Sequence, residues 1–213
     1  MRLDRIALVL LAAGCGQRFG GAKLAAPLAG KPLARHAADM LRTFDFALHG
    51  AVIGPTTPEL PGYATILLDP PGAPQSRSLA LGVAAAVQSG ASAVLVALAD
   101  MPLVPRAHIE ALIAGFDGDR LASRAPASVM PPVLFGAQHF AALSTLDGDR
   151  GAGALLHNAP TLLLPGQAAL DVDTSEDLAL AQALLERDAK KWEPVFRNKS
   201  RENKDSIAGC DSI

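Results

Sequence analysis

Four stretches of the chain are continuously apolar and rich in β-forming residues: 6–11, 50–53, 64–68 and 93–98. Runs of this kind mark strands buried on both faces, as in a parallel sheet. Between them the periodicity changes to three-four spacing. It predicts helices over 32–44, where Pro32 takes a first-turn position, over the Ala-rich 78–89, and over 106–116. Strand and helix alternate, which implies right-handed βαβ units with helices on both faces of a mostly parallel sheet. The expected fold is therefore α/β, a Rossmann-like three-layer α/β/α arrangement. Ligands in such folds bind at the carboxyl ends of the strands.

After Phe116 the pattern loosens. A strand is expected at 121–124, an apolar run at 133–135, and helices near 137–146 and 151–157. A last helix, 175–187, is announced by Thr174, which can cap it, with Asp177 three residues on. From 188 to 213 charged and polar residues follow without periodicity, together with the single tryptophan, Trp192. The expected division is one domain over 1–187 and a flexible or loosely docked tail over 188–213.

Composition narrows the function classes. Half of the residues are hydrophobic but only 4% aromatic, so the core rests on Ala, Leu and Val. The net charge is -2, which gives no basic face for general nucleic-acid binding. The two cysteines, Cys15 and Cys210, lie far apart and form no metal-binding pair, so neither a disulfide framework nor a zinc site is expected. The apolar start is too short to span a bilayer, and Gly14-Cys15-Gly16-Gln17-Arg18 after it is no signal-peptide cleavage site. A cytoplasmic, membrane-free protein is expected.

Chemistry concentrates in three places. Leu11-Ala12-Ala13-Gly14-Cys15-Gly16-Gln17-Arg18-Phe19-Gly20-Gly21-Ala22-Lys23 directly follows the first strand. Glycines there let backbone N–H groups converge on phosphate oxygens, while Arg18 and Lys23 supply charge against a triphosphate. The plainer reading is a glycine turn with two solvated cations. A P-loop is excluded, because Lys23 lies between Ala22 and Leu24 and the required Ser or Thr is missing. A dinucleotide fingerprint fits poorly, since the second strand ends in Ile53-Gly54-Pro55-Thr56 with no acidic residue.

The second place is Asp100, at the end of the fourth strand, either as a ligand for magnesium or as an acidic cap for the helix starting near Pro105. The third is Asp171 and Asp173, two carboxylates at i and i+2 that complete a metal site if the segment is extended, or else cap the last helix. Asp69 ends the third strand, placed either to contact a nucleoside or to serve the turn with Pro70 and Pro71. The five histidines fall singly and read as surface or core residues.

Taken in order, LAAGCGQRFGGAKL, SLALGVAAAV, LADMPLV, PPVLFG, LDGDRGAGALL and DVDTSEDL resemble the molybdenum cofactor nucleotidyltransferases, and within them the cytidylyltransferases. The resemblance runs from about Ile6 to Leu185. It implies transfer of CMP from CTP to molybdopterin with release of pyrophosphate and magnesium as cofactor. It further implies Arg18, Lys23 and Asp100 as catalytic residues, and Ala12, Ala13, Gly14, Gly16 and Gly20 against the nucleotide; Leu11, Asp69 and Ser78 are expected to join them there. Asp100, Asp171 and Asp173 become the metal ligands. An apo-molybdoenzyme or its maturation chaperone is the implied partner. Two positions depart from the family pattern: Met130-Pro131-Pro132 stands where Gly then His or Asn is common, and Gly153 stands where Arg often follows Gly-Ala. A guanylyltransferase, a sugar-phosphate nucleotidyltransferase, or a non-catalytic carrier of the cofactor are the alternatives. The carrier is distinguished by whether Lys23 and Asp100 meet in one cleft.

Overall fold

The computed structural model describes residues 2–14 and 16–191. Its strands are β1 (Ile6–Ala12), β2 (Pro27–Leu28), β3 (Lys31–Pro32), β4 (Leu48–Ile53), β5 (Ala64–Leu67), β6 (Ala93–Leu98), β7 (Arg120–Arg124), β8 (Val129–Gly136) and β9 (Thr161–Leu163). The helices are α1 (Leu33–Leu41), α2 (Gln75–Gln88), α3 (Arg106–Gly115), α4 (Phe140–Ser144) and α5 (Ser175–Lys191). Seven strands form one sheet in the order β5-β4-β1-β6-β8-β7-β9, and β2 pairs with β3 in a separate small ribbon. Within the large sheet β5, β4, β1 and β6 pair in parallel, β8 runs against both β6 and β7, and β9 runs parallel to β7. Only β8 is reversed, so the sheet is the mostly parallel one expected.

Strand β1 lies inside the sheet between β4 and β6, every residue buried. Alternation along it feeds the two helical layers. Ile6, Leu8, Leu10 and Ala12 face a core shared with α1, α3 and α5, through Leu33, Leu41, Ile109, Leu112 and Ala181. Ala7, Val9 and Leu11 face the other core, with Leu79, Val83 and Ala86 of α2 and Phe140 and Leu143 of α4. Helix α2 lies so close to β1 that a Cβ at Gly82 would fall 2.2 Å from Cγ1 of Val9. Gly82→Ala is therefore expected to destabilise the protein by about 1–3 kcal/mol through overpacking, read as a lower urea midpoint at unchanged slope.

Several elements differ from expectation. Helix α1 starts at Leu33 with Pro32 as its N-cap and ends at Leu41, while α2 begins three residues early, at Gln75. The helix expected over 137–146 splits into a 3-10 turn, Ala137–His139, and the five-residue α4. The helix expected at 151–157 is a 3-10 segment, Gly148–Leu156, whose three glycines weaken α-helical propensity. The apolar run 133–135 is the end of the eight-residue β8, in which Pro131-Pro132 is cis. Strands β9, β2 and β3 are too short to leave a periodic signal. Helix α5 extends to Lys191, beyond the expected Arg187. Cys15 and the stretch 192–213, most of the expected tail, lie outside the described residues. Among the described residues no helix is long and apolar enough to cross a membrane.

Candidate active site

The carboxyl ends of β1, β4, β5 and β6 open on one side of the sheet, as parallel pairing requires. Strand β1 runs into a loop that folds back on itself. The Gly16 carbonyl accepts hydrogen bonds from the N–H groups of Phe19 (3.0 Å) and Gly21 (3.2 Å), and the Gly21 carbonyl accepts from Lys23 N–H (2.6 Å). Gly16 has φ +58°, and a Cβ there would sit 2.3 Å from the Gly21 carbonyl oxygen. Only glycine satisfies both conditions.

This reversal sends Lys23 inward. Its side chain is almost wholly buried, and Nζ donates to Oδ2 of Asp100 (2.8 Å) and Oδ1 of Asp173 (2.9 Å). Burial alone would lower the Lys23 pKa, but the charge of Asp100, the hydrogen bonds to Asp100 and Asp173, and the nearby Asp171 outweigh it and raise it. Lys23 is therefore a fixed cation, not the solvated one of the plainer reading. Arg18 does match that description in exposure, at 81%, yet its Nη1 reaches Oδ2 of Asp173 at 3.3 Å.

Asp100 and the 171–173 segment are tied together by backbone: Val172 N–H donates to the Asp100 carbonyl (3.0 Å), and Ala99 N–H to the Leu11 carbonyl (3.1 Å). The Asp171 carboxyl is pushed up to about 7, first by burial and then by the charge of Asp100. Oδ1 of Asp100 and Oδ1 of Asp171 are buried and accept from no N–H or hydroxyl donor, and a hydrogen bond between the two carboxyls adds to the rise of Asp171. Two buried carboxylate oxygens without donors fit a hard divalent cation, which prefers oxygen ligands. Among the described residues no group of three or more His, Cys, Asp or Glu side chains is arranged to hold a metal ion by itself.

The capping alternatives are resolved by hydrogen bonds. Helix α3 has Pro105 as its N-cap with no side-chain cap bond, so Asp100 does not cap it. At α5 the cap is reciprocal: Thr174 Oγ1 accepts from Asp177 N–H (3.1 Å), while Asp177 Oδ2 accepts from the N–H groups of Thr174 (2.9 Å) and Asp173 (3.1 Å). Asp173 is thus left to the two cations.

The other expected residues are placed as follows. Leu11, Ala12 and Ala13 are buried at the exit of β1, and Gly14 and Gly20 are exposed on the loop. Asp69 is exposed beside the cis bond to Pro70, and Ser78 is buried in the first turn of α2. No described hydrogen bond or ion pair joins the side chains of Asp69 or Ser78 to the Lys23 cluster. The Asp171 and Asp173 segment is not a strand; it lies between a 3-10 turn, Gly166–Ala169, and α5.

Two supports were not legible in the sequence. Thr57 Oγ1 donates to the Ala12 carbonyl (2.5 Å) and accepts from Gly54 N–H (3.0 Å), pinning the exit of β1 to the loop after β4. Ser123 Oγ donates to the Pro132 carbonyl (2.7 Å), which leaves His108 Nε2–H as the donor to Ser123 Oγ (2.8 Å). Burial lowers the His108 pKa. The buried pair holds the Met130-Pro131-Pro132 departure in place. Single polar residues at these positions carry no spacing signal.

Residues 8–162 match the family model described as a MobA-like NTP transferase domain. No curated protein matches the chain significantly. The crystal structure of Rv0371c from Mycobacterium tuberculosis H37Rv is similar at 25% identity and a TM-score of 0.75, over 84% of this chain and 98% of that one. A structure of Rv0371c in complex with manganese superposes at a TM-score of 0.70 and 25% identity, over 84% and 98% of the two chains. Molybdopterin-guanine dinucleotide biosynthesis protein A from Archaeoglobus fulgidus shares the fold at 18% identity and a TM-score of 0.60, over 85% of this chain and 99% of that one.

Proposed function

We propose, from the premise that the chain belongs to the MobA-like NTP transferase domain family and is a nucleotidyltransferase, that it transfers CMP from CTP to molybdopterin and releases pyrophosphate. The observation that carries this reading is Lys23, buried beneath the glycine loop and held 2.8 Å from Asp100 at the carboxyl end of the sheet. A carrier with no chemistry to perform has no use for an ammonium fixed against carboxylates with open oxygens. The choice of CTP rests on the resemblance of the Ala12-Ala13-Gly14 stretch to the cytidylyltransferases.

In this reading the backbone of the loop and the cations of Lys23 and Arg18 receive the triphosphate, Arg18 as a forked donor and Lys23 as a point charge. Asp69 and Ser78, at the carboxyl end of β5 and the start of α2, face the nucleoside. Asp100 and Asp171 would hold the divalent cation, magnesium. Magnesium characteristically takes one or two carboxylates and completes its shell with water and phosphate oxygens, which agrees with a site that protein groups alone do not close. When bound, the cation neutralises charge on the triphosphate. The chain's own work is to orient the α-phosphorus in line with the attacking terminal phosphate of molybdopterin and to offset the charge passing to the leaving pyrophosphate. An apo-molybdoenzyme or its maturation chaperone is the proposed recipient of the product.

Pyrophosphate release is to be measured with magnesium, molybdopterin and each of CTP, GTP, ATP and UTP. Turnover with CTP alone is expected. Preference for GTP moves the protein to the guanylyl activity, turnover only with a sugar phosphate as acceptor replaces molybdopterin, and tight molybdopterin binding with no turnover favours the carrier.

A further inference from the structure

The three carboxylates of the site divide into two kinds. Asp100 and Asp171 each keep a buried oxygen that accepts from no N–H or hydroxyl donor. Asp173 has none of that kind: its Oδ1 accepts from Lys23 Nζ at 2.9 Å and its Oδ2 from Arg18 Nη1 at 3.3 Å. One carboxylate thus joins the two cations assigned to the triphosphate, and its two oxygens take one each. Its backbone is fixed in turn by the α5 cap, through the Asp177 carboxylate on the Asp173 N–H (3.1 Å).

We infer that Asp173 is not a third metal ligand but an internal stand-in for the triphosphate, a positioning residue that holds Lys23 and Arg18 aimed into the cleft and is exchanged for phosphate oxygens when the nucleotide binds. The inference rests on the site reading above and deepens it. A buried ammonium needs an anionic partner before the nucleotide arrives as much as after. The Asp100 side chain is only 21% exposed, whereas Asp173 is 43% exposed and opens to solvent. The triphosphate arrives from solvent, so Asp173 is the partner it displaces. Arg18, at 81% exposure, is free to follow the phosphates once released. The exchange replaces carboxylate oxygen by phosphate oxygen as acceptor, and no covalent bond is made or broken in it.

The role makes Asp173 a competitor of the substrate, and that separates it from a metal ligand. The test is binding of tripolyphosphate and of CTP to wild type, Asp173→Asn and Asp173→Ser by titration calorimetry in EDTA, where no divalent cation contributes. Both variants are expected to bind both probes about five- to tenfold more tightly than wild type, the gain shrinking as salt is added. With magnesium restored, KM for the nucleotide is expected to fall together with kcat, because the cations are no longer held in aim. Unchanged or weaker cation-free binding in the variants overturns the stand-in role and returns Asp173 to the metal or to plain support of α5. Failure of all three proteins to bind either probe overturns the reading of the cleft as a triphosphate site, and the stand-in role with it.

Discussion

Asp100→Ala is expected to lower nucleotidyl transfer by about a thousandfold or more while the protein stays folded. Two functions leave with one side chain. Oδ2 holds the Lys23 ammonium at 2.8 Å, and Oδ1 is one of the two buried oxygens open to a cation. Preorganised charge of this kind, aimed where negative charge moves during reaction, accounts for effects of about 10²–10³ per group, and here two such contributions are coupled. The fold is spared because Asp100 anchors the 171–173 segment through its backbone carbonyl, which the substitution keeps. Removing its charge also relieves the repulsion that raises the Asp171 carboxyl. Pyrophosphate release and thermal unfolding, measured on the same preparation, check both halves. Activity within tenfold of wild type would remove Asp100 from the machinery.

Lys23→Ala is expected to lower activity by about 10²–10³ and also to destabilise the protein, with a cost that depends on pH. The substitution leaves Asp100, Asp171 and Asp173 facing one another without their common cation. Breaking a buried pair by removing one partner costs about 3–5 kcal/mol; the solvent exposure of Asp173 reduces this to about 2–4 kcal/mol. Asp171 is already raised to about 7 in the presence of Lys23, which acts to lower it, so losing Lys23 raises it further. A carboxyl raised in the folded state holds its proton there after the unfolded chain has released it. Its contribution is complete below the unfolded value near 4 and is lost as pH rises through about 7. The variant's deficit should therefore be smallest near pH 5 and largest near pH 8, read from urea midpoints at the two values. An equal deficit at both would mean that the carboxylates do not sense one another.

The two effects share a cause, the gathering of residues far apart in the chain around one ammonium. The α/β class was legible from alternation, because a strand buried on both faces must be continuously apolar, as 6–11 and 93–98 are. The reversed β8 was legible only as its apolar end, since direction of pairing leaves no mark on composition. The region 137–157 misled because short apolar runs suit 3-10 and α turns alike.

The site divides in the same way. Sequence by itself determined the glycine loop with its two cations, since a run of glycines directly after a buried strand is a local pattern, and it placed Asp100 at a strand's carboxyl end. It also marked the start of α5, because the Thr174 and Asp177 cap is local and its three-residue spacing is visible. Tertiary structure alone decided what the acidic residues contact. Capping or coordination by Asp100 and Asp173 depended on which donor lay within 3 Å, and that donor, Lys23, is 77 positions from one and 150 from the other. Distances of that kind are set by the sheet order β4-β1-β6 and by the return of the chain past β6 to α5, and by the burial that fixes charges against one another. No local pattern encodes them.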